Sequence, residues 1–503
     1  MAGLSEDLQG WKEKIERYAR EYGLDFFELN FEVIDYRQLN EVASYGGFPV
    51  RYPHWTHGMS FDQLSKGYTY GLSKIYEMVI NNDPCYAYLM KENHLVDQKL
   101  VMCHVYGHCD FFKNNVWFSR TDRQMIDTMA NHASRIRRYI GRYGLEEVEE
   151  FLDRCVSLER LIDVHSAFLS KQRTTVDETA APEPRQAPRV RFQAKSYMES
   201  FINASAGAQE ERQRRAQEEK ERRPKKFPES PERDILLFLL HHAPLTRWQR
   251  DILGMIRDES YYFAPQWQTK IMNEGWASYW HSRLMTEKVL NDAEIVDFAD
   301  HHSGTMGGND SLNPYKLGLY LYRDIEERWN KGRFGSEYED CENFKERKNW
   351  DTGAGKGRQK IFEVRTVHND VTFIDTFLTE EFAQENRMFI YRYDLETDQY
   401  VIASREFAKI KRQLLAQLTN GGHPLISIVD ADYKGHGILY LKHTYEGIPL
   451  DIEYAKATLA NLCSLWGKPV CIESVYQDKP VLIEHDGKEA QFTSLDAPSS
   501  ATA

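Results

Sequence analysis

The middle of this chain contains a long stretch that cannot form a hydrophobic core. Residues 171–230 include the Pro- and Thr-rich run TTVDETAAPEPRQAPRVR and then QEERQRRAQEEKERRPKK, which is almost entirely charged. Such a segment buries too little apolar surface to offset the entropy that is lost on ordering. We therefore expect an exposed, disordered insertion, with at most a solvated helix near 208–223, that divides the folded body. Its charges could contact a partner, although a solvated surface explains them as well.

The patterns on either side of the insertion indicate two regions of different architecture. Residues 1–170 and 231–335 carry apolar residues at helical spacing, so we expect one discontinuous, mainly α-helical body. From 336 to 490, short β-rich runs such as FEVRTV (362–367), FIYRYD and GILYLKHTY alternate with helical patterns, which predicts a separate α+β domain. Residues 491–503 read as a flexible tail. A chain of 503 residues should form several packed units.

Charge, cysteine content and hydropathy argue against several classes of protein. The net charge of -13 gives no basic surface of the kind that nucleic acids need. The seven cysteines contain no CxxC pair, which is typical of a reducing compartment, so we expect a cytoplasmic protein. The first residues, MAGLSEDLQGWKEK, lack the layout of a signal peptide. The most apolar run, ILLFLL (235–240), is far shorter than a membrane span, so no integral membrane segment is expected.

The most informative motif is His104-Val-Tyr-Gly-His108, on a helix expected from about 97 to 112. The spacing i, i+4 places two imidazoles one turn apart on the same helix face, where both can bind one ion. The preceding residues are apolar, so these rings lie on a buried element and need polar partners. Histidines of a core or a surface are the alternative, but the context favours a metal site.

A second motif supplies a third ligand. The helix expected over 266–286 contains Glu274 within EGWASY, and this string resembles zinc metallopeptidases in which the Glu of a similar helix is a zinc ligand. Two histidines and one carboxylate with an open position form the donor set of catalytic zinc. The fold expected for the helical body is therefore metallopeptidase-like, with zinc as the cofactor, although another divalent metal would also fit. His281 follows two turns later as a further ligand or a transition-state stabiliser.

The chain departs from those peptidases at the general base. In their HExxH motif the residue after the first histidine is a catalytic Glu, whereas here it is Val105. Another carboxylate must then deprotonate the attacking water. Glu77, Asp110 and Glu259 are candidates, and we select Glu77 as the catalytic residue because it lies on an apolar segment, 68–80, that is expected to be helical.

Two other interpretations use the same residues. Carboxylates and histidines that converge from several helices can form a di-metal centre, but the usual Glu-x-x-His pairs are absent from the sequence at these positions. Glu77 could also be paired with a buried cation and have no catalytic role. Other histidines could line the same cleft, although each is more typical of a hydrogen-bonded structural side chain: His54, His57, His132, His301 and His302.

Long strings of this chain resemble the stage V sporulation protein R (SpoVR) family. They are YPHWTHG, YEMVINNDPCYAYL, LVDQKLVMCHVYGHCDFFKNN, NEGWASYWHSRLM and NPYKLGLYLYRDIEERW, in this order. The resemblance implies a role in forming spore cortex or cell-envelope peptidoglycan in bacteria. It also implies a functional association with a PrkA-type serine protein kinase and with a von Willebrand-type partner protein.

Two hypotheses for the function remain open at this point. The first is a metal-dependent hydrolase of the peptidase or amidase type, which the His-His-Glu set favours. The second is a non-enzymatic regulatory or interaction protein in a kinase-linked complex, which Val105 at the position of the base favours.

Overall fold

The computed structural model describes residues 4–69, 77–166, 168, 226–306, 313–394 and 398–495. The insertion expected at 171–230 therefore lies outside the described residues, apart from 226–230. No helix within the described ranges is long and apolar enough to cross a bilayer. The helices are α1 (Glu6–Glu21), α2 (Tyr36–Ser44), α3 (Trp55–Thr69), α4 (Leu95–Asn114), α5 (Met125–Tyr143), α6 (Leu145–Ser157), α7 (Ile235–His242), α8 (Arg247–Gln268), α9 (Lys270–Leu284), α10 (Ile295–Met306), α11 (Pro314–Asn330), α12 (Ser336–Glu339), α13 (Phe344–Lys348), α14 (Gly357–Val367), α15 (Asp370–Phe377), α16 (Glu380–Glu385), α17 (Phe407–Leu418) and α18 (Ile452–Trp466).

The strands of the described residues form three sheets. They are β1 (Leu29–Ile34), β2 (Met78–Ile80), β3 (Cys85–Met90), β4 (Ile390–Asp394), β5 (Gln399–Ser404), β6 (Ile426–Tyr433), β7 (Ile438–His443), β8 (Val470–Tyr476), β9 (Lys479–His485) and β10 (Ala490–Ser494). The N-terminal sheet has the order β1-β3-β2, and the C-terminal sheet has the order β10-β9-β8-β7-β6. Strands β7 and β8 are parallel, and α18 lies in the connection between them, as parallel pairing requires a long crossover. The architecture is thus mixed, with a mostly helical N-terminal body and a C-terminal sheet.

The first hydrophobic core surrounds helices α4, α9 and α11. It is built from α1 and the N-terminal sheet on one side, and it includes residues of α14 and α15 from the far end of the chain. Trp276 and Trp280 of α9 are fully buried there. Because these central helices are covered on several sides, their polar side chains must find partners inside the protein.

The second core joins the C-terminal sheet to helices α5, α6, α7 and α8. Leu441 of β7 and Ile472 of β8 belong to the same cluster as Leu152 of α6 and Ile252 of α8. The region expected to be α+β therefore shares buried contacts with helices on both sides of the insertion.

Two secondary-structure predictions are wrong because tertiary contacts decide the conformation. Residues 362–367 were expected to form a strand, but they belong to α14, where Ile361 and Val364 are buried at helical spacing. The segment 68–80 was expected to be one helix that carries Glu77. Within the described residues, α3 covers Trp55–Thr69 and 78–80 form β2, which pairs with β3, so the end of this segment is a strand and not a helix. A short apolar run without a clear helical or strand periodicity is compatible with both a helix and a strand. Contacts with other parts of the chain, such as the hydrogen bonds between β2 and β3, therefore decide its conformation.

A third difference concerns the helix expected over 266–286. The chain forms two helices there, α8 and α9, which meet at Thr269. The backbone N–H and the hydroxyl of Thr269 both donate to the carbonyl oxygen of Pro265. Helix α9 therefore begins one turn before Glu274.

Glycines allow the three central helices to approach closely. A Cβ added to Gly107 of α4 would lie 2.7 Å from the Cα of Ala277 in α9, and one added to Gly275 of α9 would lie 2.4 Å from the Cα of Gly318 in α11. No side chain fits at such distances, so only glycine permits this packing. Gly107 lies inside the HVYGH motif and Ala277 inside EGWASY, so the first contact holds the two motifs together, whereas Gly275 of EGWASY brings α9 against α11.

Candidate metal centre

Helix α4 carries His104 and His108 through the middle of the first core. Almost every residue from Val96 to Phe112 is buried, and each of the two histidines is 3% exposed. The helix thus has no solvent-facing side at this point, and the two imidazoles project from one of its faces into the protein interior.

Helix α9 brings Glu274 to the same place from the other motif. Its first turn is held by Asp370 of α15, whose carboxylate accepts hydrogen bonds from the backbone N–H groups of Ile271 (2.8 Å) and Met272 (2.9 Å). A carboxylate that binds free N–H groups at a helix N-terminus stabilises that end of the helix. Asp370 therefore fixes the turn from which Glu274 projects.

Glu77 reaches the site from a different kind of element than the sequence predicted. It directly precedes β2, so it lies at the start of a strand. Its side chain is 21% exposed, compared with 4% for His104 and 7% for Glu274. Glu77 therefore stands on the accessible side of the site.

The four side chains Glu77, His104, His108 and Glu274, here called the Glu-His-His-Glu cluster, converge on one point. Their ligand atoms all lie within 4.8 Å of one another, and within the described residues this is the one group found that could hold a metal ion. The Nε2 atom of His104 lies 3.1 Å from Glu77 and 3.5 Å from Glu274. The Nε2 atom of His108 lies 3.6 Å and 3.5 Å from the same carboxylates. Ligands of a tetrahedral zinc ion, with bonds of about 2.0–2.1 Å, are about 3.3 Å apart.

Two buried atoms of the cluster lack a hydrogen-bond partner. They are Nε2 of His104 and Oε2 of Glu274. Although carboxylate oxygens lie near this nitrogen, none accepts a well-directed hydrogen bond from it. Buried polar atoms are nearly always satisfied, and donor atoms that point at a common centre are arranged as metal ligands are. The residues present therefore fit a metal ion.

The electrostatics of the cluster favour a positive charge at its centre. Burial alone would raise the pKa of Glu274, but the imidazoles of His108 and His104 and the ammonium of Lys270 lower it to about 2. Burial would lower the pKa of His104, but Glu77 and Glu274 raise it to about 9. The carboxylates thus stay ionised and attract a cation, which a proton on His104 or a divalent ion can supply.

Residues behind the two histidines set the direction of their lone pairs. Nδ1 of His108 lies 2.9 Å from Oδ1 of Asn273, so its N–H donates to this amide and Nε2 presents its lone pair to the cluster. Nδ1 of His104 lies 2.7 Å from Nδ1 of His281, whose Nε2 lies 3.0 Å from Nδ1 of His302. Both ring nitrogens of His281 are thus engaged by His104 and His302, and burial lowers its pKa well below the usual range, so it is neutral. His281 orients His104, and its catalytic role stays a prediction.

Comparison with known proteins identifies the family. The family model described as "SpoVR like protein" matches residues 4–423, and the model described as "SpoVR-like C-terminal domain" matches residues 424–477. The chain belongs to the SpoVR family. A SpoVR-like relative, "Uncharacterized protein YcgB" of Escherichia coli (strain K12), is 31% identical over 494 residues, which cover 92% of this chain and 91% of that protein. No solved structure matches this SpoVR chain.

The accessible side of the SpoVR site contains two further residues that sequence reasoning missed. Lys270 forms an ion pair with Oε1 of Glu274, and its side chain is 55% exposed. The ring of Tyr315 lies 6.2 Å from that of His104, and burial together with Glu274 raises the pKa of its hydroxyl, which stays protonated. The i, i+4 spacing of Lys270 and Glu274 was a usable signal, whereas nothing around Tyr315 marked it.

Two other carboxylates that were considered as the base lie elsewhere. Asp110 accepts hydrogen bonds from Arg365 (2.6 Å) and Trp276 (2.7 Å), and it is fully buried. Glu259 is paired with Arg51 (2.7 Å) and His132 (3.0 Å). Both carboxylates are therefore held in ion pairs of the core, and Glu77 remains the candidate base that the structure brings to the cluster.

Replacing Asn273 should weaken metal binding without removing a ligand. Asn273→Ala leaves Nδ1 of His108 without its acceptor, and loss of such an outer partner typically lowers metal affinity by about 10–100-fold. Asn273→Asp keeps an acceptor oxygen and should restore most of the affinity. Competition titration with a chromophoric chelator measures both, with Asn349→Ala, at an exposed helix end, as the control. Equal affinities for the alanine variant and the native protein would contradict this role.

Proposed function

We propose that this SpoVR chain is a metal-dependent hydrolase in which His104, His108 and Glu274 hold one divalent ion, zinc, and Glu77 is the catalytic carboxylate. The observation that carries the proposal is the convergence of four ligand atoms within 4.8 Å of one another, two of which, Nε2 of His104 and Oε2 of Glu274, are buried without a well-directed hydrogen bond. Two imidazoles with carboxylate oxygens form a donor set that suits zinc.

The arrangement supports a single ion. A di-metal carboxylate centre usually takes a Glu from each of two helices and a Glu-x-x-His pair from each of two others. Here two carboxylates and two imidazoles surround one point, and no second group of this kind was found in the part of the chain that the structure describes.

Each residue on the accessible side has a task that suits hydrolysis. A divalent ion at this position would polarise a carbonyl group and make water more acidic. Glu77, the most exposed member of the cluster at 21%, is placed to accept a proton from an attacking water and to pass it to the leaving group. Tyr315, which stays protonated, is placed to donate a hydrogen bond to an oxygen that gains negative charge. The substrate that we propose is an amide bond of a cell-envelope peptidoglycan precursor, as family membership suggests.

The position of Glu77, 3.1 Å from Nε2 of His104, favours a different function. If Glu77 is a fourth ligand, protein atoms complete a tetrahedral site, as in structural zinc sites. The chain would then be a non-enzymatic regulatory protein, and the proposed association with a PrkA-type serine protein kinase and a von Willebrand-type partner would be its main activity.

The variant Glu77→Gln separates these two functions. If Glu77 is the base, the variant should keep its metal and fold while turnover falls by about 100- to 10,000-fold, the usual contribution of a general base. Metal content is measured by mass spectrometry of the purified protein, and turnover by release of new amino groups from peptidoglycan peptides. Glu92→Gln, an exposed residue after β3, is the control and should change neither quantity.

Two results would count against the hydrolase. Loss of the metal from Glu77→Gln would make Glu77 a ligand and support the closed, regulatory site. Retention of both the metal and full activity in cells would remove Glu77 from the mechanism.

A further inference from the structure

A second site lies between the C-terminal sheet and helix α18. It is a cavity of about 760 Å³, and none of its lining residues belongs to the Glu-His-His-Glu cluster. Its walls come from both sides of the junction at 423/424 between the two matched family regions. Small-molecule sites typically have volumes of about 300–1,000 Å³ and often lie where two structural units meet.

The interior of the cavity is apolar. Leu441 of β7 and Ile472 of β8 line it from the sheet, and Leu459 and Leu462 line it from α18. Each of these side chains is at most 3% exposed. These four side chains are the buried part of the lining, and the partly exposed Leu161, Ile426 and Leu450 give a long ligand aliphatic surface to cover, where burial of apolar area is the main favourable term.

The mouth of the cavity exposes large apolar side chains. Ile448 is 54% exposed and Tyr454 is 78% exposed, and both line the cavity. Exposed apolar residues next to an apolar cavity indicate where an apolar ligand enters, because their surface stays in contact with water when no ligand is bound.

One corner of the cavity carries a cationic side chain, Arg160, whereas burial and Arg160 lower the pKa of the nearby His423. Arg160 follows α6, its guanidinium lies 5.0 Å from the ring centroid of Trp267, and it lines the cavity together with His423. The lining also contains three acidic residues. Glu159 is the ion-pair partner of Arg160 at 3.6 Å, so a ligand carboxylate has to replace Glu159 at the guanidinium. Asp451 caps the N-terminus of α18, and Glu446 is exposed. A planar guanidinium held against an aromatic ring is well suited to bind a carboxylate.

We propose that this cavity binds a single-chain amphipathic carboxylate, of the class of medium- and long-chain fatty acids. The hydrocarbon chain lies between the sheet and α18, and the carboxylate lies at Arg160. The apolar walls and the exposed apolar mouth account for the chain, and the cationic corner accounts for the head group. The site is separate from the proposed hydrolase centre and does not depend on it.

Calorimetric titration of the full chain with laurate tests the proposal. We expect saturable binding of one laurate per chain. Ala455→Trp, on the face of α18 that lines the cavity, fills the space and should lower the affinity at least about 10-fold, since overfilling a packed space costs about 1–3 kcal/mol. Ala457→Trp, on the exposed side of the same helix, is the matched control and should bind laurate as the native protein does.

A second pair of variants tests the head group. Arg160→Gln should lower the affinity for laurate about 10- to 100-fold, the value of a charge-assisted hydrogen bond, and should leave binding of the neutral dodecanol unchanged. Arg154→Gln, on α6 but outside the cavity, is the control. Absence of saturable laurate binding, or equal binding by Ala455→Trp and Ala457→Trp, would overturn the proposal. The variant His108→Ala should bind laurate normally, which separates this test from that of the metal centre.

Discussion

Replacement of His108 with alanine should lower the zinc affinity of the protein by at least about 50-fold. A complete four-ligand zinc site contributes about 10–16 kcal/mol, or about 2.5–4 kcal/mol for each ligand if they share it equally, and 1.4 kcal/mol corresponds to a factor of ten. His108 lies 3.5 and 3.6 Å from the two carboxylates and is almost fully buried, so its loss leaves the buried donor set one imidazole short. Competition with a chromophoric chelator measures the change.

The variant His108→Ala should also change how the free energy of unfolding depends on bound zinc. A ligand that binds only the folded state at 100 times its dissociation constant adds about 2.7 kcal/mol to the free energy of unfolding. A chelator should therefore lower the stability of the native protein by about this amount, and it should have almost no effect on His108→Ala. His436→Ala, in the exposed turn between β6 and β7, is the control. A zinc affinity of His108→Ala equal to that of the native protein would contradict the proposed metal site.

Substitution of Gly275 by alanine should destabilise the protein by about 3 kcal/mol, at the upper end of what overpacking usually costs. The added methyl group would lie 2.4 Å from backbone atoms of Gly318, and backbone cannot move aside as a flexible side chain can. Helices α9 and α11 must separate, and because Glu274 is the preceding residue, we also expect weaker zinc binding. Chemical denaturation and metal titration measure the two effects.

A second glycine provides the matched control for this prediction. Gly254 lies inside α8, and an added Cβ there meets nothing within 4 Å. Gly254→Ala should therefore raise the free energy of unfolding by about 0.5–1 kcal/mol, because alanine loses less conformational entropy in a helix. Equal stabilities of the two alanine variants would show that the close approach of α9 and α11 is not a constraint.

The substitutions His108→Ala and Gly275→Ala both change the part of the core in which α4, α9 and α11 pack together. The histidines of α4 and the carboxylate of α9 meet because Gly107 lets α4 approach Ala277 of α9, while Gly275 holds α9 close to Gly318 of α11. The ligand atoms and the packing that brings them together therefore come from the same two short motifs, HVYGH and EGWASY. A change in either motif should affect both stability and metal affinity.

Sequence reasoning located the cluster but not its surroundings. The pairing of His104, His108 and Glu274 could be predicted since the spacing i, i+4 is a property of any helix, and the EGWASY string has known parallels. Asn273 and Tyr315 could not be assigned to the site from the sequence. The partner of Asn273, His108, lies 165 residues away along the chain, and the neighbours of Tyr315 lie on other helices. No local pattern encodes such contacts.

Sequence by itself therefore determined, from strong periodicity, which segments are helical, and it determined which side chains could bind metal; the charged insertion at 171–230 stays a prediction. Only the tertiary structure decided that Glu77 lies at the start of a strand, that 357–367 form a helix, and that the C-terminal sheet shares a core with α5–α8. The physical reason is the range of the forces involved. Amphipathic periodicity acts between neighbours on one element, whereas the pairing of β2 with β3, the burial of α14 and the closure of the cavity depend on surfaces that meet only when the whole chain has folded.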